Sequence, residues 1–519
     1  MHWADAAAHR IVQGYPVLHE YRLAAGISPS GPVHVGNLRD VATVHFVARG
    51  LADLGKRTRA IFSWDDFDRF RKVPAGIPAD FEKHLGRPLA DVPDPARCHE
   101  SYAAHFETAF EDALGELGIT FDFRRQAQLY RSGLYDDAIV EAVRRRDVIF
   151  DILNDFRTRP VDVAQRAAFY PLSVYCAGCG TDNTQVLACD PDARVLRYRC
   201  RGCGHEAEAP LGGASGVKLP WKIDWPMRWR HEGIVFEPGG KDHATQGGSY
   251  DVSSRIAREV FRHEPPIFQP YEFVGIRGMT GKMSSSSGML LTPAELLSVY
   301  QPELLLWLFA KTPPTRAFDI SLDDQILRSY DEFDRDLEKF RAGVRDDDAR
   351  SIELCLQRGR DLRPVPFRQL TAFSAIVGGN RAALEAIFRR LGLPSSPADF
   401  GERLAKAEHW VERYAPDEAL KLRGERDDAF YASLSDEERR WLADLVGWLG
   451  ATPAFTADEA SERLYDIPKR GAVAAEIKAR QKRFFEIIYQ LLFGQRRGPR
   501  LGTFFAAFPT ADYLKLLSA

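Results

Sequence analysis

The chain has 519 residues, 45% hydrophobic and 28% charged, with a formal net charge of −3. That balance is ordinary for a globular protein, and the length suits three or four domains of about 150 residues. It excludes a membrane span, since the longest apolar run, Leu304 to Ala310, is far below the about 20 residues required. There is also no global positive field, so a nucleic-acid partner has to be held by a local patch. Met1-His2-Trp3-Ala4-Asp5 has no basic region followed by an apolar core, so no signal peptide is expected and the reading is cytoplasmic.

Residues 21–27 read as a buried strand. A Pro/Ser/Gly loop follows, then Leu38, Val41, His45, Ala48 and Leu51 recur at helical spacing. Thr58 to Ser63 reads as a second strand. Strand, loop, helix and strand form a βαβ pattern, which implies a parallel sheet with ligands beyond the strands' carboxyl ends. Residues 66–98 look irregular. Phe106, Phe110, Leu114 and Leu117 mark a helix, and the Gly-rich stretch 171–210 shows little periodicity. Tyr271 to Ile276 reads as one strand. From about residue 295 the pattern turns helical, with segments 294–311, 368–391, 434–449 and 472–493. The fold expected is α/β: a Rossmann-like parallel-sheet core, a zinc-bearing insertion and an all-α C-terminal region.

Two segments carry nucleotide chemistry. In Pro29-Ser30-Gly31-Pro32-Val33-His34-Val35-Gly36-Asn37, His34 stands just before a helix N-terminus, where free N–H groups and the dipole favour phosphate. A histidine there can donate to phosphate oxygens as charge builds in the transition state. The plainer reading is a strand-to-helix loop with a chance histidine. In Lys282-Met283-Ser284-Ser285-Ser286-Ser287-Gly288, one lysine heads a Gly/Ser loop able to close over phosphates. The plainer reading there is a surface linker.

Seven cysteines are present, an odd number. Cys176, Cys179, Cys200 and Cys203 form two Cys-x-x-Cys knuckles, the form of a structural four-thiolate zinc site. Asp94, Cys98, His99 and His105 make a second possible zinc set. Residues six apart on one helix lie about 120° apart in azimuth. Cys98 and His99 must therefore sit on a lead-in loop, with His105 on the first turns. Cys189 and Cys355 read as ordinary thiols. Residues 469–500 hold nine Lys or Arg against two acids, with Phe484, Ile488, Leu491 and Leu492 as an apolar stripe. One face would pack while the other meets RNA phosphate; a solvated helix face is the common alternative.

Gly26-Ile-Ser-Pro-Ser-Gly-Pro-Val-His-Val-Gly-Asn37, Ser63-Trp-Asp-Asp-Phe-Asp-Arg-Phe-Arg-Lys-Val-Pro74, Ile223-Asp-Trp-Pro-Met-Arg-Trp229, Gly240-Lys-Asp-His243 and Tyr271-Glu-Phe-Val-Gly-Ile276 together resemble class I lysyl-tRNA synthetase. Gly494-Gln-Arg-Arg-Gly-Pro-Arg-Leu-Gly502 is also similar to that family, so the resemblance runs nearly end to end. Members often have Thr at the place of Ser28, and many have a second loop lysine at the place of Ser287. Here Lys282 is then the only cation from that loop.

The resemblance implies lysine activation with MgATP and transfer to the terminal 2′-OH of tRNA(Lys). His34 and Lys282 would act on the triphosphate. Pro29, Ser30, Gly36, Asn37, Met283, Ser284 and Ser286 would complete the ATP site. Gly26, Ser28, Trp225, His243 and Tyr271 would bind L-lysine. Asp65, Asp66, Asp242 and Glu272 are the candidate acceptors for its ammonium. The implied division is a catalytic domain over 1–90 and 221–293, a zinc-bearing insertion over 91–220, a helical stem-contact region over 294–345 and an anticodon-binding region over 346–519. Zinc, in one or two ions, and Mg²⁺ with ATP are the implied metals. A class I synthetase for another amino acid and a non-catalytic tRNA-binding paralogue stay open as readings. An adenylyltransferase without a tRNA role fits poorly with the long helical C-terminal region.

Overall fold

Strand β1 (Tyr21–Ile27) is the middle of a five-stranded parallel sheet whose order is β5-β4-β1-β2-β3. Its partners are β2 (Thr58–Trp64), β3 (Asp122–Arg125), β4 (Ile234–Gly240) and β5 (Ile267–Tyr271). The register sets Gly26 opposite Ser63 and Gly240 opposite Tyr271, so the strands' carboxyl ends gather along one rim. The chain is described in a computed structural model over residues 1–156, 163–278, 291–357, 362 and 364–518. It divides into two compact units. The first takes Met1–Leu297, Pro302–Ile320 and Lys339–Gln357, and the second Ser298–Gln301, Ser321–Glu338 and Arg358–Ala519.

In the first unit, helices α1 (Trp3–Gly14) and α2 (Val35–Asp53) lie together. The expected stripe on α2 is partly misplaced and too narrow, since His45 and Ala48 are only half-buried. Val35, Leu38, Val41, Val44, Phe46, Val47 and Leu51 are all buried, because the sheet covers one side while α1 and the Pro302–Ala310 helix cover others. A helix enclosed this way reads apolar nearly all round. Helix α3 (Tyr102–Glu116) begins at Ser101, whose hydroxyl accepts the Ala104 N–H. Helix α4 (Trp221–Glu232) carries Pro226 in its interior. Proline there leaves the Lys222 carbonyl without its helical donor, and the Ser253 hydroxyl fills the gap at 3.1 Å.

Two expectations are corrected in this unit. Tyr271 to Ile276 is not one strand. Tyr271 ends β5, the Glu272 N–H turns to the Pro314 carbonyl, and Val274–Ile276 pairs in a separate two-stranded sheet with Phe318–Ile320. The cysteine segment is not without periodicity. It holds a three-stranded antiparallel sheet of Thr184–Asp190, Val195–Cys200 and Glu206–Pro210. Leu196, Tyr198 and Cys200 alternate inward along its middle strand, the two-residue period of a half-buried sheet.

The second unit is helical, but its helices are shorter than their periodicity suggests. Residues 368–391 form two, Phe367–Ile376 and Arg381–Arg390, parted by Gly378 and Gly379 in left-handed backbone. In the first unit the 294–311 pattern likewise splits into Pro293–Leu297 and Pro302–Ala310. Within the basic stretch, Phe484, Ile488, Leu491 and Leu492 are buried as expected. Its charges, however, are largely answered: Arg480 pairs with Glu437, Arg483 with Glu438, Arg470 with Asp444 and Arg497 with Glu418. Lys478, Arg496 and Arg500 have no ion pair among the described residues. Among those residues no helix is long and apolar enough to cross a membrane.

Candidate active site

His34 is the N-cap of α2. Its Nδ1 accepts the Gly36 N–H at 3.1 Å, and its own N–H donates to Asn37 Oδ1 at 3.3 Å. An imidazole that accepts at Nδ1 carries its proton at Nε2, so the ring is a donor beyond the helix N-terminus. Gly36 makes this possible, since a Cβ there would lie 2.8 Å from His34 Cε1. His34, Gly36 and Asn37 line a cavity of about 470 Å³ together with Gly240, Asp242, His243 and Tyr271. Three stretches far apart in sequence thus meet at the sheet's carboxyl rim. Val274, Gly275 and Asp319 close another wall. The Val35 N–H donates to the Leu291 carbonyl at 2.9 Å. Lys282, Met283, Ser284 and Ser286 lie outside the described residues. Pro29 and Ser30 shape the approach loop, with the Ser30 carbonyl accepting the Tyr102 hydroxyl at 3.0 Å.

Beside this cavity is a small inner pocket of about 40 Å³, bordered by Ala24, Gly26, Asp65, Trp225, Trp229 and Glu237. Trp225 links the two spaces, its ring 5.9 Å from that of His243. Of the implied lysine set, Gly26 and Trp225 therefore border the inner pocket, and His243 and Tyr271 the outer one. Ser28 lines neither; its hydroxyl donates to Asp68 Oδ2 at 2.8 Å, and Lys218 Nζ is 2.7 Å from Asp68 Oδ1. A Cβ on Gly26 would lie 2.8 Å from the Ser63 carbonyl, so close strand packing itself requires this glycine.

The inner pocket holds a charge network of which sequence reading named Asp65 and Trp225 and missed Glu237, Arg228, Asp224 and Asp40. Trp225 and Trp229 donate their indole N–H groups to the two oxygens of Glu237, at 3.0 and 2.6 Å. Burial pushes Glu237 up to about 7, although both indole bonds favour its ionised form. Arg228 donates to Asp65 at 2.7 Å and sits 2.7 Å from Asp224, to which Tyr130 also donates. Burial raises Asp65 to about 6 against the pull of Arg228. Asp40 of α2 is buried beneath, accepts the Gly26 N–H and is held well above the usual carboxylate range by burial and by Glu237. Asp66 accepts the Ala127 N–H, and Glu272 pairs with Lys241. The one available signal was a lone acid in the apolar run Ile234-Val-Phe-Glu237, because an acid in a central strand needs partners.

Both cysteine and histidine clusters assemble. The sulfurs of Cys176 and Cys203 are 3.7 Å apart, as are those of Cys179 and Cys200. A tetrahedron with 2.3 Å zinc–sulfur bonds has edges of about 3.8 Å. The four thiols fit zinc, with no position left for substrate. Backbone amides of Cys203 and Gly202 draw the Cys200 thiol down to about 6. The His205 amide pulls Cys203 the same way, but the sulfurs of Cys179, Cys176 and Cys200 outweigh it and push Cys203 up to about 12. A cation at the centre removes that repulsion.

In the second cluster Cys98 Sγ lies 3.1 Å from His99 Nδ1 and 3.3 Å from His105 Nδ1, and Asp94 Oδ1 is 3.3 Å from His105 Nδ1. All four donor atoms fall within 4.8 Å of one another. Cys98 and His99 occupy the lead-in to α3, with His105 in its first turn, as the azimuth argument requires. Asp94 is buried, yet the amides of Ala96, His99 and Cys98 hold it well below the usual carboxylate range. That donor set also fits zinc.

Residues 1–355 match the family described as tRNA synthetases class I (K). A lysine–tRNA ligase of Streptomyces coelicolor is 37% identical over 93% of this chain and 92% of its own. One from Treponema pallidum is 36% identical, covering 100% and 98%. One from Pyrococcus horikoshii is 34% identical, covering 100% and 99%. The match spans most of the chain's length and the relatives align from end to end, so the chain belongs to the class I tRNA synthetases (K).

Proposed function

We propose that this protein is a lysine–tRNA ligase. The observation that carries the reading is the single cavity at the sheet's carboxyl rim, where His34 meets Gly240, His243 and Tyr271. In the first step the lysine carboxylate oxygen attacks the α-phosphate of MgATP. The bond to the bridging oxygen breaks, pyrophosphate leaves and lysyl-adenylate forms. In the second, the 2′-OH of the terminal adenosine of tRNA(Lys) takes the lysyl group and AMP is released. His34 donates from Nε2 to phosphate oxygens as they gain charge, and the N-terminus of α2 adds its dipole. Alignment of the reactants supplies much of the remaining acceleration.

Lys282 completes the phosphate site. The described residues that flank its segment support this: Gly275 lines the cavity that holds His34, and Leu291 is bonded to Val35. Pro29, Ser30, Gly36, Asn37, Met283, Ser284 and Ser286 belong to the same ATP site. Gly26, Trp225, His243 and Tyr271 bind lysine, and Ser28 holds Asp68 in place beneath them. Residues 1–90 and 221–293 form the catalytic domain, 91–220 the insertion, which also lends the sheet its edge strand Asp122–Arg125, 294–345 the stem-contact region and 346–519 the anticodon-binding region. Lys478, Arg496 and Arg500 are the cations left for RNA phosphate. The enzyme works in the cytoplasm.

ATP–pyrophosphate exchange, run on the full chain with each amino acid and with and without tRNA, tests the reading. Exchange that depends on lysine supports it. Exchange with a different amino acid alone, or tRNA binding with no exchange at all, overturns it. Zinc is structural in both clusters. Purified protein is expected to carry two equivalents by elemental analysis. Cys203→Ser and His105→Ala should each remove about one. Unchanged zinc content in either variant refutes that cluster.

A further inference from the structure

Glu237 is a buried acid with no cation bonded to it among the described residues. It is 8% exposed, and its oxygens receive two neutral indole donors. Arg228 is near enough to favour its charge, but that guanidinium already faces Asp65 and Asp224. The other charges that act on it, Asp40 and Asp65, are negative. A carboxylate taken out of water this way is costly unless something positive joins it.

The space beside it has a definite size and lining. About 40 Å³ admits an ammonium group with a methylene or two. Ala24, Ile61 and Ile234 are apolar walls, and the faces of Trp225 and Trp229 suit both an alkyl chain and a cation. Asp65 also borders the pocket, but is held by Arg228. Asp242 and Glu272 are not among its lining residues.

On the lysine–tRNA ligase reading, we propose that Glu237 receives the ε-ammonium of the substrate, with Trp225 and Trp229 fixing the carboxylate by their indole N–H groups. The stem then runs from His243 and Tyr271 in the outer cavity across Trp225. Glu237 is thus the residue that distinguishes lysine from neutral amino acids of the same length.

The test is lysine-dependent ATP–pyrophosphate exchange by the full chain, with 6-hydroxynorleucine as the uncharged isostere. Glu237→Gln is expected to raise the lysine KM by roughly 30- to 1,000-fold and leave the ATP KM within about threefold. The parent's preference for lysine over 6-hydroxynorleucine should fall by a similar factor. A merely structural role for Glu237 would weaken both ligands together. Glu237→Asp keeps the charge, so its loss should be smaller and the preference should survive; Glu237→Met, which removes the charge at similar volume, takes the place of the Gln variant if that protein does not fold. An unchanged lysine KM or equal losses for the two ligands in the uncharged variant, or a lost preference in Glu237→Asp, overturns the assignment while the parent's lysine activity stands. Absence of lysine-dependent exchange in the parent, with tRNA present as well as without it, overturns the ligase reading and this anchor with it.

Discussion

His34→Asn is expected to lower the rate of lysine-dependent ATP–pyrophosphate exchange by about 10²–10³-fold, the cost of losing one preorganised donor to a developing oxyanion. The melting temperature should stay at the parent's value. Asparagine is a good N-cap, so its side-chain oxygen can replace Nδ1 as acceptor of the Gly36 N–H. What it cannot replace is the ring's far edge, where Nε2 carries the proton beyond the helix end. His34→Ala should show the same loss of rate and, in addition, about 1 kcal/mol less stability from the missing cap. The pair separates the two jobs of one side chain. An exchange rate within tenfold of the parent's in His34→Asn would remove the imidazole from the triphosphate chemistry.

His34 could be singled out in the sequence because everything that defines it is local. The strand before it, the glycine two residues on and the helix after it lie in one stretch, and the backbone alone sets the geometry. The cysteine knuckles were legible for the same reason, and so was the placement of Cys98 and His99 on a loop ahead of His105. Glu237 was not. Its meaning depends on Trp225 and Trp229 from a neighbouring helix and on Asp40 from beneath the sheet. Sequence spacing does not report such distances. The strand pattern across Tyr271 to Ile276 was sound as hydrophobicity but could not reveal the break at Glu272, which is set by the Pro314 carbonyl, 42 positions on. The basic stretch misled in the opposite direction: counted along the chain it is strongly positive, but Glu437, Glu438 and Asp444 come to it from another helix.

Arg228→Met is expected to destabilise the first unit by about 3–5 kcal/mol near neutral pH, the usual cost of removing one partner from a buried ion pair. Arg228 is 7% exposed and its guanidinium lies over the Trp221 ring. Methionine fills comparable apolar volume, so lost packing is the smaller part. The larger part is the charge left on Asp224, which is buried, and on Asp65, which is mostly buried, both facing the vacated site. Since that part is electrostatic, it must depend on pH, and the sign follows from Asp65. Its folded-state pKa of about 6 lies above its ordinary value of 3.8 even with Arg228 present, because burial outweighs the guanidinium. A group raised on folding supports stability below its unfolded value and withdraws that support as pH rises through the folded one. Without Arg228 the folded value rises further, so more support is withdrawn on the way to neutral pH. The gap between parent and variant should therefore be widest near pH 7.5 and shrink toward pH 5. Urea unfolding followed by tryptophan fluorescence at the two pH values measures it, since Trp225 and Trp229 report on this part of the sheet. A gap of equal size at both would mean that the charge of Asp65 does not set the cost, and the loss would then come from packing and hydrogen bonds rather than from an unpaired carboxylate.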